Sequence, residues 1–232
     1  FAPTARMSLF RTAANSHPAR AIIGMLAKNR SKAIALAALQ ESWTFQFVVV
    51  VDANIDVFDE PGPVLPPGLG EHRAEVRTIR TPDGDFGHML LTRRAMSGWV
   101  HHDVSFRRRE PRALIEALVE VDGGTVGVLS AHLGLSRRER RYQAERLAAL
   151  AAADGVPTVI AGDFNEPTGR GAASRSLGEH FLSAGREATF PSWWPLFPLD
   201  RIWFEPSLEL VATGVCTGAR VSICRCGSIK RA

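Results

Sequence analysis

Nothing else in this chain restricts its fold as much as Pro157-Thr158-Val159-Ile160-Ala161-Gly162-Asp163-Phe164-Asn165. The stretch runs apolar and β-branched through Ile160, as a strand buried on both faces does, and then stops at small residues. Two oxygen-bearing side chains follow directly. In an extended or gently turning backbone, residues two apart point the same way. Asp163 and Asn165 therefore face one point in space while Phe164 returns to the core. A carboxylate and an amide at the carboxyl end of a buried strand suit a hard divalent cation, or a phosphate held beside one. The same tripeptide also suits a plain Asx turn closing a strand. Its surroundings have to decide.

Those surroundings alternate strand and helix. Phe86 to Thr92 reads as a strand after the turn Thr81-Pro82-Asp83-Gly84-Asp85. Ala113 to Val121 places Ala113, Ile115, Ala117, Val119 and Val121 on one face and Glu116 and Glu120 on the other. Asp122-Gly123-Gly124 turns the chain, and Thr125 to Ser130 returns as the partner strand of a hairpin ending at Ala131-His132-Leu133-Gly134. Arg137 to Ala153 is a run of strong helix formers, stopped by Asp154-Gly155. An aromatic, proline-rich stretch, Thr189 to Pro198, leads into the strand-like Leu199-Asp200-Arg201-Ile202-Trp203-Phe204. Hairpin, helix and strand with polar residues at the strand ends form an α/β enzyme pattern.

The first 70 residues carry less pattern. Ala19 to Ala27 reads as a helix opened by Pro18, and Ala33 to Leu39 as an apolar run leading to Gln40-Glu41. Glu41 has the position of a metal ligand at a strand end, or of an ordinary exposed acid. Phe45 to Phe58 contains a further strand, and Pro61 to Gly70, with four prolines and three glycines, is loop.

Composition narrows the class. A hydrophobic content of 45% supports a real core. A sequence pI of about 9.4 is compatible with a phosphate-bearing partner without establishing one. Two arginine runs, Arg107-Arg108-Arg109 and Arg137-Arg138 with Arg140-Arg141, read as solvated loop and helix face, because Glu110 and Glu139 interrupt them. The three cysteines, Cys216, Cys224 and Cys226, give no disulfide framework, and Cys-x-Cys alone is a poor zinc signature. Phe47 to Val51 is too short to span a bilayer and no secretory leader is visible, so a cytoplasmic location is expected.

Gly162-Asp163-Phe164-Asn165, with Ala131-His132-Leu133 one helix earlier and Asp200-Arg201-Ile202-Trp203 after it, resembles the endonuclease/exonuclease/phosphatase superfamily. The resemblance implies one domain over residues 1–232, best matched over 81–215, with 216–232 as a divergent tail. Its fold would be a four-layer α/β sandwich of two packed, mostly antiparallel sheets flanked by helices. The activity implied is hydrolysis of a phosphodiester or phosphomonoester with Mg²⁺ (or Mn²⁺), the substrate being a nucleic acid, lipid or small molecule. By resemblance, Glu41 and Asp163 match metal ligands, and Asp163 and Asn165 the pair that positions water, metal and phosphate. His132 matches a phosphate-binding histidine, and Asp200 the acid that orients a second, C-terminal histidine.

Two departures bear on activity. The opening Asn-x-His strand has no convincing counterpart, Asn15-Ser16-His17 lacking a strand before it. The closing Ser-Asp-His motif is absent too, since no histidine follows His180. A head and a tail that both lose the pattern around an intact middle point to a damaged or frame-shifted reading frame, with a divergent genuine protein as the alternative. The expectations that follow are impaired turnover, or a catalytically inactive remnant that binds a phosphorylated ligand. From about Cys216 the tail is expected to be poorly ordered and to supply no good closing strand, because Gly218 and Gly227 break it and Arg220, Arg225, Lys230 and Arg231 charge it.

Overall fold

Two sheets face each other across an apolar interior. The computed structural model describes residues 72–208, apart from 83, 93, 122, 154, 185–187, 191–193 and 195, and the backbone of further strands before and after that span. A four-stranded sheet contains β1 (Lys32–Ala35), β2 (Phe47–Asn54), β3 (His72–Thr81) and β4 (Gly84–Thr92), in the order β1-β2-β4-β3. The larger sheet contains β5 (Met96–Asp103), β6 (Ala113–Val121), β7 (Gly124–His132), β8 (Thr158–Asp163), β9 (Leu182–Ala184) and β10 (Asp200–Phe204), in the order β5-β6-β7-β8-β10-β9. All its pairings are antiparallel except β7 with β8, which are parallel. The helix α1 (Arg137–Ala151) makes that crossover, as a parallel pair requires.

Alternation along the strands builds two cores. Ile115, Val128, Val159, Ala161 and Ile202 from the six-stranded sheet meet Ala74, Val76 and Leu90 from the four-stranded one. On the outer face, Leu114, Leu129, Ile160 and Trp203 pack under Ala144 and Leu147 of α1 and Leu177 of α2 (Ala172–Leu177). Every residue of β8 is buried. Fully burying side chains such as Val159 and Ile160 on opposite faces contributes about 1.5–3 kcal/mol each. A one-residue slip would exchange those faces, so the core fixes which residues emerge at the strand's end.

The α/β sandwich of two packed, mostly antiparallel sheets is therefore present, and the 113–132 hairpin, the helix and the central strand stand where their patterns place them. Both described helices cover one face of the six-stranded sheet; the proposed helix over Ala19 to Ala27 lies outside the described residues. Among described residues no helix is long and apolar enough to cross a membrane.

Within the tail the structure has a strand that its glycines and charges argued against. Cys224–Arg231 forms β12, paired antiparallel with β11 (Leu208–Cys216) from Leu208↔Arg231 to Cys216↔Cys224. A partner strand close in the chain makes this ladder possible despite the glycine and the charges, because a short connection costs little closure entropy. An irregularity between Leu210 and Ala212 absorbs the mismatch. The hairpin is a sheet of its own and adds no strand to either large sheet.

Candidate active site

Register assembles the polar residues. His132 is the Cα partner of Asp163 across the parallel pair, and Asp163 that of Asp200 across the antiparallel one. Each stands an even number of residues from a member of the inter-sheet core on its own strand: Val128 in β7, Ala161 in β8 and Ile202 in β10. By the period of two, all three side chains belong to the face between the sheets, at one end of it. They are almost wholly buried, at 5%, 0% and 2% exposure.

The turn after β8 is both an Asx turn and a site element. Asp163 Oδ1 accepts the backbone N–H of Asn165 at 2.8 Å. Asn165 sits at φ 48°, in the left-handed region that Asn tolerates better than most residues. Its Nδ2 donates to the Leu133 carbonyl at 2.7 Å, so its amide oxygen is the end turned elsewhere. Phe164 is fully buried on the helix side, edge-on to Trp203, as the alternation requires.

An open cavity of about 770 Å³ lies at this end of the sandwich. His132 and Asn165 line it, with Arg112, His88, Phe190 and Leu199. Asp163 and Asp200 are buried beside it and do not line it. His102 is elsewhere: its Nε2 meets Glu116 at 2.5 Å, and it does not line the cavity. Glu41 and Trp193 lie outside the described residues, and Trp194, 63% exposed, is not part of the cavity wall.

Several supports escaped sequence reasoning. Arg112, 8% exposed, places Nη1 2.9 Å from His132 Nδ1 and 3.0 Å from Glu110. Thr189 Oγ1 accepts the backbone N–H groups of Leu199 and Asp200, fixing the start of β10. Arg201 alternates to the face opposite Asp200, where it donates to Ser174 Oγ and the Glu166 carbonyl. The buried Glu166 carboxylate accepts from Ala173 N–H and from the Ser174 N–H and hydroxyl, tying the chain after Asn165 to α2. Gln143, fully buried on α1, accepts from Gly134 N–H and donates to the Val104 carbonyl. The one sequence cue available was Ser136-x-x-Glu139, a capping box that starts α1 just past the His132 loop.

The arginine runs also look different in three dimensions. Glu110 is engaged by Arg112, and Glu139 is buried in the capping box. Glu110 stays exposed beside Arg107-Arg108-Arg109, as the sequence order suggested, whereas Glu139 is withdrawn from the exposed arginines of the helix. Phe106 and Tyr142, with ring centroids 5.6 Å apart, bring the Arg107 loop against the first half of α1.

Chemically, the donor set is hard oxygen plus imidazole. No group of three His, Cys, Asp or Glu among the described residues is placed to hold a metal ion by itself. Mg²⁺ does not need one: it keeps several waters and commonly takes one or two carboxylates with substrate phosphate. Asp163 and the Asn165 amide oxygen fit that demand.

Comparison with known proteins identifies the family and the fold. A family model described as Endonuclease/Exonuclease/phosphatase family matches residues 6–227, well beyond the motif-bearing middle of the chain. An uncharacterized protein of Escherichia coli K12, YbhP, is 33% identical over 134 residues, 53% of each chain. The chain thus spans about half the length of the curated relatives it matches. Among solved structures, a humanized Danio rerio TDP2 superposes with TM-score 0.58 at 14% identity, covering 92% of this chain and 91% of that one. A mannosyl-6-phosphatase of Bacteroides thetaiotaomicron gives 0.54 at 13% identity, covering 92% and 88%. At such identities the structures establish a shared fold.

Proposed function

We propose that this chain, which belongs to the endonuclease/exonuclease/phosphatase family, hydrolyses a phosphoester bound at the cavity beside His132 and Asn165. The supporting observation is the row His132, Asp163 and Asp200, three buried polar side chains brought to one end of the inter-sheet face by strand register. Burying such groups side by side carries a desolvation cost, and ionisable groups gathered beside a cleft are candidates for a functional site. In this reading His132 and the Asn165 amide hold the phosphoryl group. Asp163 anchors the turn and, from its buried position, polarises the attacking water. Asp200 supports the same water network from β10.

A bound Mg²⁺ (or Mn²⁺) would be held by Asp163, the Asn165 amide oxygen and Glu41, and would neutralise charge on the phosphoryl oxygens. Purified full-length chain should cleave bis(p-nitrophenyl) phosphate or p-nitrophenyl phosphate in the presence of Mg²⁺ and stop when EDTA is added. A panel of nucleotide, sugar and lipid phosphoesters then sorts the substrate.

A second reading rests on the absence of any histidine after His180. A site lacking one imidazole loses on the order of a hundredfold or more in rate, and the chain would then bind phosphoesters without turning them over. Calorimetric binding of a phosphodiester analogue without product release supports that reading. Absence of both binding and cleavage across the panel rejects the two together.

A further inference from the structure

Arg112 stands at the entrance to β6 and meets the strand row at His132. Its backbone is clamped on both sides. The Arg112 N–H donates to Ser105 Oγ at 3.1 Å, and its carbonyl accepts from Val104 N–H at 2.9 Å. Nη1 then reaches Glu110 at 3.0 Å and His132 Nδ1 at 2.9 Å. A guanidinium carries only N–H donors and does not lose its proton in a protein. The ring nitrogen it faces must therefore accept. Nδ1 of His132 is bare, and the ring proton of the neutral imidazole sits on Nε2.

From this we infer that Arg112 is a positioning residue which fixes the tautomer of His132, making that histidine a hydrogen-bond donor through Nε2–H rather than a proton acceptor. The inference deepens the phosphoester reading, on which the identity of the group receiving the Nε2–H bond rests. A phosphoryl oxygen needs a donor, and a bare Nε2 would repel it. An Nδ1–H would face the guanidinium and lose the bond, so the hydrogen that His132 offers a phosphoryl oxygen is Nε2–H. Taking the proton from the attacking water falls to another group. Glu110 holds the second hydrogen of Nη1, which keeps the guanidinium from swinging away from the ring.

The test does not need turnover. In the ¹⁵N-histidine-labelled chain, two-bond correlation spectra report the tautomer of each imidazole, and His132→Gln identifies the His132 signals by their loss. Wild-type His132 should show the proton on Nε2 and a bare Nδ1. In Arg112→Met, similar in length but without a donor, His132 should shift to a mixture of tautomers; in Arg112→Lys, which keeps a donor, the wild-type form should largely persist. If hydrolysis is detected, Arg112→Met should lower it about tenfold or more, with the pH profile altered and partial rescue in the lysine variant. A wild-type His132 carrying its proton on Nδ1 overturns the inference, and that measurement stands even if Arg112→Met does not fold. A tautomer that is unchanged in a folded Arg112→Met variant overturns it equally. An Nε2–H tautomer in a chain that binds no phosphoester would sustain the Arg112 assignment while rejecting the functional reading.

Discussion

The two ends of the central strands are built differently. Where β7 and β8 begin to pair, Gly127 lies opposite Thr158, and the end is closed by main chain: Gly127 N–H donates to the Pro157 carbonyl and Glu205 N–H to the Thr158 carbonyl. Where they finish, His132 lies opposite Asp163, and side chains do much of the closing: Asp163 to Asn165, Asn165 to Leu133, Arg112 to His132 and Thr189 to Asp200. Buried polar side chains carry a desolvation cost that strand closure does not require, and they are concentrated at the end where we propose that the chemistry takes place.

The largest expected effect comes from paired glycines of the two ends. At the site end, a Cβ on Gly162 would stand 1.7 Å from the carbonyl oxygen of Ala131, main chain that cannot yield without breaking the β7–β8 ladder. At the other end, a Cβ on Gly127 would meet the Thr158 hydroxyl at 2.8 Å, a side chain able to rotate. Gly162→Ala should cost about 3 kcal/mol or more of unfolding free energy and Gly127→Ala about 1 kcal/mol. Urea denaturation of both variants measures the difference; equal losses would break the comparison.

Next in size is an effect on activity. Asp163→Ala should lower phosphoester hydrolysis by about a hundredfold or more. Thr158→Val, which removes the hydroxyl bond to the Val156 carbonyl, should cost about 1 kcal/mol in stability and leave kcat/KM near wild type. Should the two variants lose activity alike, the asymmetry is structural only.

Intermediate in size is the loop that follows the Asx turn. Glu166→Ala leaves Ala173 N–H, Ser174 N–H and the Ser174 hydroxyl without their shared acceptor. A loss of roughly 2–3 kcal/mol is expected, with a rise in KM as Asn165 loosens. A change in kcat alone would argue for a direct chemical role instead.

The smallest effects are in pH, and the two ends should respond with opposite sign. Asp103, at the site end of β5, is held below its ordinary pKa mainly by hydrogen bonds from Ser105, whose hydroxyl also holds Arg112. Its contribution to stability is present above the ordinary carboxylate value and is lost as pH falls through the lowered one. Glu205, at the far end of β10, is raised by burial, against weaker opposing bonds from Thr158 and Ser207. Its contribution is full below the ordinary glutamate value and fades as pH rises through the raised one. Thermal unfolding of Asp103→Asn and Glu205→Gln across acid to neutral pH should flatten opposite arms of the profile. Asp103 is exposed and Glu205 only partly buried, so solvent keeps the shifts in midpoint small.

Much of the fold was legible because it rests on local periodicity. The apolar run to Ile160, the alternation from Ala113 to Val121 and the Asp122-Gly123 turn each state their element within a few residues. The strand within the tail was not legible, for the complementary reason. Glycine content and charge are propensities of one segment, and β12 exists because β11 lies beside it.

For the site, the family resemblance grouped Asn165 with three residues, His132, Asp163 and Asp200, that the sequence alone brings up at the ends of strands. Period-two alternation against a buried core leaves them no other face. Only the tertiary structure decided how each is held. Arg112 and His132 are twenty residues apart, Thr189 and Asp200 eleven, and Arg201 and Glu166 thirty-five. No spacing rule joins such pairs. A buried donor or acceptor must find a partner wherever packing delivers one, and which one arrives is set by how two sheets and a helix come to rest against each other.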